Sequence, residues 1–389
     1  MNSPNKNLKR LKIAIVYDMI YPFNIGGAEL RNYETAIRLA KNHEVHLFGV
    51  KLWKGKQIIK KDGVIIHGVC RYNNLYNFKG TRTILEPIKF AIKLFKPLKK
   101  EKFDIIYTST FPYFHCFTCK IISILRRTPL IFTWHQHWGN YWYNYLGFFQ
   151  GFFGKNIEKI VKSFTNYHIA VSQTTKKDLI KARINKKNIF VSYGGVDFKK
   201  IESVKTKTKK YDVVFVGRLN HQKNVKLLIE SVGLLKKEFP KIKTCIIGDG
   251  PDKQKLFHLT KELNLRNNID FLGFLKDIKD VYRYMKLSKI FALPSLLEGF
   301  GIVVIEANAC GLPVIVVNNK WNASKELIDN NGLISENNPE DFAFAIKKLL
   351  KDNKLRKKMS INSIKKSKRF DWDIISKELE DYYKSILKD

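Results

Sequence analysis

Nowhere in the 389 residues do about 18 apolar side chains follow one another without interruption, so no helix is expected to span a bilayer. Cysteine is scarce too. Its five residues (Cys70, Cys116, Cys119, Cys245, Cys310) are odd in number and scattered, a pattern that fits reduced thiols. Cys116 and Cys119 have a redox or zinc spacing, but no second pair accompanies them, which leaves ordinary packing as the reading. No helix-turn-helix, zinc-finger or RNA-binding signature is present, and no G-x-G-x-x-G follows the first strand. The most informative shortage is of acids. Residues 1–200 hold 11 Asp and Glu against 35 Lys and Arg, a net +24, while the remainder holds 24 against 36, a net +12. Between 51 and 100 two acids face 13 bases. A lysine-rich proteome explains many lysines but not few acids. An anionic acceptor or an anionic membrane surface explains both, whereas nucleic acid fits the charge without any supporting motif.

What the chain does contain is enough for two domains: 44% hydrophobic residues, 13% aromatics and a length of 389. Its start imitates a leader, with Lys9-Arg10-Leu11-Lys12 ahead of Ile13–Val16. Asp18 interrupts the apolar stretch and no small-residue cleavage site follows, so the segment reads as the first strand of a cytoplasmic protein. Apolar strand-like runs then alternate with helical patterns. Candidate strands are 12–17, 44–49, 64–68, 104–108, 130–134 and 167–171, with helical stretches at 29–42, 85–98 and 175–182. Such alternation predicts α/β architecture with a doubly wound parallel sheet. Residues 199–211 are charged and poor in apolar side chains and read as a linker. A second alternating series follows, giving domains at 1–198 and 212–370.

Chemistry concentrates in Leu293-Pro294-Ser295-Leu296-Leu297-Glu298-Gly299-Phe300-Gly301-Ile302-Val303-Val304-Ile305-Glu306. An apolar strand halted by Pro294 precedes a glycine loop, and a helix follows that stops at Gly311 and Pro313. Backbone N–H groups at Gly299–Gly301 can approach an anion at a helix start. Glu298 and Glu306, eight apart, are then liabilities unless they accept hydrogen bonds from sugar hydroxyls beside the phosphate, which points to a nucleotide-sugar. The plainer alternative has Glu298 capping the helix and Glu306 on its solvent face. Arg218 and Lys223 fall at another strand's carboxyl end, where α/β proteins bind ligands and where cations neutralise a departing diphosphate. His135 ends the strand 130–134. With His137 it makes a His-x-His pair that lacks a third ligand of convincing spacing. Gly26 and Gly27 allow close backbone approach after the first strand. Asp371-Trp372-Asp373 matches a metal-holding D-x-D, yet it lies far from the phosphate loops and Asp371 reads better as an N-cap. Asn322-Ala323-Ser324 is a formal sequon. Residues 138–153 carry nine aromatics in sixteen positions with Lys155, Lys159 and Lys162 following. Packing or an interfacial contact would each explain them.

The paired-glutamate stretch resembles the E-x7-E signature of retaining group 1 GT-B glycosyltransferases, which share a glycogen-synthase-like C-terminal half. Gly26-Gly27-Ala28-Glu29, Thr133-Trp134-His135, Val171-Ser172, Gly194-Gly195-Val196-Asp197, Gly217-Arg218-Leu219 with Lys223, Gly248-Asp249-Gly250-Pro251 and Asn331-Gly332-Leu333 match in family order. Gln136 departs from the acid that members often carry after the histidine. The resemblance implies two Rossmann-like domains facing across a cleft, with a terminal helix at 371–389 crossing back to the first. It further implies a metal-independent, retaining hexosyl transfer from a nucleoside-diphosphate sugar to a cell-envelope glycan or lipid-linked acceptor, without cofactor or nucleic acid. Catalytic residues would be His135, Glu298, Arg218 and Lys223. The donor would meet Gly26, Gly27, Arg218, Lys223, Gly248, Phe274, Leu275, Glu298, Phe300, Gly301, Ile302 and Glu306. Glu306 would take the ribose hydroxyls and Glu298 those of the sugar. A peripheral place at the inner face of the cell membrane follows from the basic first half. An epimerase of the same architecture, and a non-catalytic binder of anionic surfaces or nucleic acid, are the alternatives.

Overall fold

A computed structural model describes residues 10–72, 83–206 and 208–388. Lys9 of the leader-like start, Lys79 and Arg82 of the basic block, and Lys207 of the expected linker lie outside the described residues. Two compact units are formed, Met1–Tyr193 with Asp373–Asp389, and Gly194–Trp372.

The first unit is built on strands β1 (Lys12–Val16), β2 (Glu44–Gly49), β3 (Ile58–Lys61), β4 (Val64–Gly68), β5 (Ile105–Ser109), β6 (Leu130–Trp134), β7 (Tyr167–Ala170) and β8 (Ile189–Val191). They form one sheet in the order β3-β4-β2-β1-β5-β6-β7-β8, parallel except where β3 meets β4. β5 and β6 are buried along their whole length, as strands covered on both faces must be. The covering helices are α1 (Gly27–Leu39), α2 (Leu85–Lys100), α3 (Phe114–Arg126), α4 (Tyr141–Leu146), α5 (Phe148–Val161) and α6 (Gln173–Lys181). Alternation along β1 divides the core. Ala14 and Val16 join Phe90 and Leu94 of α2, Cys116 and Cys119 of α3 and Val161 of α5. Ile13 and Ile15 join Tyr33 and Leu39 of α1 and Leu379 and Tyr383 of the terminal helix. β3 and β8 are absent from the strands expected above. β3 is half lysine and lies at the sheet edge, but Asp62 (φ 49°) and Gly63 (φ 83°) after it form the tight turn that an Asp-Gly pair favours.

The second unit carries β9 (Tyr211–Val216), β10 (Thr244–Ile247), β11 (Ile269–Gly273), β12 (Ser288–Leu293), β13 (Val314–Val317) and β14 (Gly332–Ser335), all parallel, in the order β11-β10-β9-β12-β13-β14. Its helices are α7 (Phe198–Ser203), α8 (Val225–Leu235), α9 (Lys253–Glu262), α10 (Ile278–Lys286), α11 (Ile302–Ala309), α12 (Pro339–Lys351) and α13 (Asn353–Ser367), and α14 (Trp372–Ile386) leads back to the first unit.

The chain changes units at 193/194 and 372/373, not at the boundaries expected from charge. Of the described residues in 199–211, those up to Ser203 contribute most of α7 and Tyr211 opens β9. Ile201 and Val204 are buried. Lys286 Nζ donates to their carbonyls at 2.6 and 2.7 Å, and Lys209 Nζ donates to Lys286 and Ser288 carbonyls at 2.8 and 2.6 Å. Lys209, which looks like part of a solvated run, is thus spent on backbone oxygens.

Candidate active site

In the second sheet β9 leads to β10 and β11 on one side, and the chain then places β12 on the other. Loops leaving β9 and β12 therefore diverge at a topological switch point, the usual ligand crevice of an open α/β sheet. Leu296 N donates to Gln222 O at 2.9 Å and ties the two loops together. Across that tie Lys223 and Glu298 form an ion pair. The Glu298 backbone is clamped on the far side, its N–H donating to Trp321 O at 3.1 Å and its carbonyl accepting from Ala323 N at 2.9 Å. Asn322 makes this clamp rigid: it is fully buried, and its amide donates to the Ser295 and Val317 carbonyls at 3.0 Å each. A folded chain thus keeps that sequon from any glycosylating enzyme.

α11 begins at Gly301, whose φ of 95° suits glycine and would strain any other residue. No side chain caps this helix start, so Glu298 is an ion-pair partner and not the cap. Glu306 does not lie on the solvent face either. It is 8% exposed and accepts a hydrogen bond from Tyr282 Oη of α10 at 3.1 Å. Burial first, then the Glu306 charge, holds the Tyr282 phenol well above its ordinary pKa, so it stays a donor. Phe300 is buried with its ring 5.7 Å from Phe370, which leaves the backbone as its offering to a ligand, and Ile302 is half-buried.

Beside these loops, backbone packs on backbone. A Cβ on Gly248 (φ 138°) would stand 1.9 Å from Gly217 O, so only glycine fits. Gly217 N donates to Ile247 O at 3.0 Å, Leu219 N to Asp249 O at 2.9 Å and Gly248 N to Gly273 O at 2.8 Å. Three strand ends thereby meet, with Arg218 exposed, Phe274 exposed and Leu275 half-buried on their rim. Arg218, Lys223, Gly248, Phe274, Leu275, Glu298, Phe300 and Gly301 thus lie in the segments that follow the strands at this one sheet end, and Ile302 and Glu306 lie in the first turns of α11 beside them.

His135, Gly26 and Gly27 belong to the first unit, whose own switch point lies between β1 and β5. Gly26 caps α1, but Asn24 donates to Glu29 Oε1 at 2.8 Å and the Glu29 carboxylate lies back over Gly26. An anion at this helix start would meet a like charge. His135 Nε2 lies 3.1 Å from Ser109 Oγ, and Asn32 Nδ2 donates to the same hydroxyl at 3.1 Å. Behind them Arg31, buried, donates to Tyr107 Oη at 2.5 Å and to Ser192 Oγ at 2.9 Å. Shielding from water, then the Arg31 charge, pushes His135 down to about 3, so its imidazole is neutral at physiological pH.

Tyr282 and the Arg31–Asn32–Tyr107–Ser109 network are absent from the residues picked out above. Tyr282 stands in no motif. Arg31 follows Gly26-Gly27-Ala28-Glu29 by two positions and shares the polar side of α1 with Glu34, Thr35 and Arg38, so the helical pattern gives no signal of its burial.

Several motifs find separate partners. Cys116 and Cys119 are buried free thiols in the α3 core. His137 lies 3.7 Å from Glu158, away from the Ser109 partner of His135. Asp371 pairs through its backbone with Val196, and Asp373 takes Arg38 Nε at 2.7 Å. Glu44, His46 and Glu101 have ligand atoms close enough for a cation, but the Lys12 ammonium already pairs with both carboxylates. Glu44 is held down at about 2, first by the hydrogen bond from Lys12 and then by that from His46.

Two Rossmann-like units, each with polar residues at the switch point of its sheet, make a GT-B fold. A crystal structure of Anabaena Alr3699/HepE in complex with UDP and glucose covers 97% of this chain and 100% of its own, at 21% identity and a TM-score of 0.76. Residues 196–366 match the model of glycosyl transferases group 1, and residues 25–200 match that of Glycosyltransferase Family 4. The chain is 26% identical over 370 residues to the capsular polysaccharide biosynthesis glycosyltransferase CapH of Staphylococcus aureus, covering 93% of itself and 96% of CapH. It is 35% identical over 196 residues to the N-acetylgalactosamine-N,N'-diacetylbacillosaminyl-diphospho-undecaprenol 4-alpha-N-acetylgalactosaminyltransferase of Campylobacter jejuni, covering 48% of itself and 51% of that enzyme. Residues 196–366 thus form a glycosyl transferases group 1 domain.

Proposed function

We propose that the chain moves a hexose-type sugar, with retention and without a metal, from a nucleoside-diphosphate sugar to a cell-envelope glycan or lipid-linked acceptor. The observation that carries this reading is the Lys223–Glu298 pair beside the uncapped start of α11. Without a ligand Lys223 neutralises Glu298, which removes the liability of a carboxylate at an anion site. A diphosphate arriving at the α11 amides competes for Lys223 and frees Glu298 for the hydroxyls of the sugar. Glu306, oriented by Tyr282, accepts from the ribose hydroxyls, and Arg218 with Lys223 neutralises the departing diphosphate. Phe274 and the backbone near Gly248 meet the base. The UDP in HepE and the diphospho-undecaprenol acceptor in the name of the Campylobacter enzyme support donor and acceptor classes of this kind.

His135 acts here as a neutral hydrogen-bonding group near the reacting sugar. No side chain of this set suits covalent attack, which favours front-face displacement in which the leaving phosphate takes the acceptor proton. The test pairs a thermal-shift screen of UDP-, GDP- and ADP-sugars with a transfer assay in excess chelator. Stabilisation by one donor, and chelator-resistant transfer with the anomeric configuration kept, is the expected result. Activity lost in chelator and restored by magnesium or manganese would overturn metal independence. Formation of an altered nucleotide-sugar without an acceptor would replace transfer by epimerisation.

A further inference from the structure

The aromatic tract divides in the structure. Its first part is interior: Trp138, Trp142 and Tyr145 pack with Phe111, Tyr113 and Trp134. The buried Glu158 pins them, accepting from Tyr113 Oη at 2.8 Å, Trp138 N at 2.9 Å, Gly139 N at 2.8 Å and Trp142 Nε1 at 3.3 Å. Its second part faces outward. On α5, Phe148, Phe149, Phe152, Phe153 and Ile160 are all exposed, Phe149 by 80% and Phe153 by 65%. At 100° per residue they cover a single stripe of roughly 140°, opposite the side that buries Gly151, Glu158 and Val161. A helix that buries its acid and exposes four phenylalanines inverts the ordinary soluble pattern.

α3 repeats the inversion. Phe117, Ile121, Ile124 and Leu125 are exposed, while Cys116, Cys119 and Ile122 enter the core cluster that also holds Val161 of α5. The two helices therefore cover the same face of the first sheet, and Phe117 meets Phe164 just beyond α5 at 5.0 Å. Charge beside the stripes is of one sign. α3 has no acid at all, and between 141 and 165 the single acid is the buried Glu158, against Lys120, Arg126, Lys155, Lys159 and Lys162.

We infer that the exposed stripes of α3 and α5 form a docking face for an anionic lipid bilayer, on which α5 lies in the interfacial plane. Aromatic rings flanked by lysines suit the headgroup boundary, and two weak signals together make attachment stable yet reversible. A second copy of the chain fits less well, because it would bring one lysine-rimmed face against another. Among the described residues no helix is long and apolar enough to cross a membrane, so attachment by this face is peripheral. Nothing in the inference rests on sugar transfer, and its test needs no donor.

The experiment is co-sedimentation of the full chain with vesicles of phosphatidylcholine alone, or mixed with phosphatidylglycerol, at about 0.1 M and about 1 M salt, where screening lengths are about 10 and about 3 Å. Binding to the anionic vesicles at low salt is expected, weakened more than about tenfold at high salt and on neutral lipid. Phe149→Ser with Phe153→Ser should weaken it roughly 10- to 100-fold. Both positions are exposed, so the far-UV melting curve should not move. Lys120→Gln with Lys159→Gln should cost several-fold and flatten the salt dependence. A wild-type chain left in the supernatant with anionic vesicles at low salt overturns the inference, as does a phenylalanine double variant that sediments like the wild type. So does lipid-free self-association, by analytical ultracentrifugation, that the phenylalanine changes abolish.

Discussion

Both sheets gather their polar residues at a switch point, but the two gatherings differ in kind. The second unit presents charge: an ion pair between Lys223 and Glu298, a buried Glu306 held by Tyr282, and Arg218 on the rim. The first presents a chain of neutral groups, His135, Ser109, Asn32 and Tyr107, with its one cation, Arg31, spent on hydroxyls and a carbonyl. A diphosphate needs full charges and helix amides, whereas sugar hydroxyls are met by neutral donors and acceptors. On the proposed function, two similar scaffolds thereby take on different recognition tasks through the side chains at their strand ends.

Lys223→Ala offers the largest expected effect. It removes the group that balances Glu298 at rest and the diphosphate in transfer, and kcat should fall by about 10²–10³. Glu306→Ala comes next. Loss of charge-assisted hydrogen bonds worth about 1.5–3 kcal/mol each should weaken binding of free nucleoside diphosphate by roughly 10- to 100-fold, measured by calorimetry. Glu298→Gln should lower turnover with the intact donor and leave that binding nearly unchanged. Equal losses for both glutamates would erase the division between ribose and sugar.

How far these roles can be read from sequence depends on whether the governing contact is local. Strand, glycine loop and helix around Glu298 are written in consecutive residues, as are the alternating elements that give the doubly wound sheets. Partner choice is not. Glu298 finds Lys223 from 75 positions away and Glu306 finds Tyr282 from 24, through loops that only the strand order brings together. The error at 199–211 has a related cause, since charge density cannot reveal that Ile201 and Val204 are buried or that Lys209 caps backbone carbonyls. The aromatic tract divides by which side of α5 meets the sheet, and composition carries no information on that.

Smaller effects sharpen the contrast from the neutral side. Arg31→Gln removes the charge that helps hold His135 down, so the His135 titration, followed by NMR, should move up from about 3. An unmoved titration would remove the electrostatic link. Acid stability adds a second readout. His135, His67 and His168 are pushed down to about 3, about 4 and about 4, each chiefly by burial, so the unfolded chain takes up protons first. Their stabilising contribution is complete above about 6.5, and Tm should drop as pH falls from there through about 4. Asp373→Ala should have the smallest consequence, because its ion pair with Arg38 is solvent-exposed on the aspartate side and worth at most about 1 kcal/mol.

The most direct test is a calorimetric titration of free nucleoside diphosphate into the wild type, Lys223→Ala and His135→Ala, with turnover measured in parallel. If charge recognition resides in the second unit, Lys223→Ala weakens binding by at least about tenfold, as expected for a lost charge-assisted contact. His135→Ala should bind like the wild type yet turn over more slowly. Wild-type affinity in Lys223→Ala, or an equal loss in His135→Ala, would contradict the assignment of the charged site to the second unit.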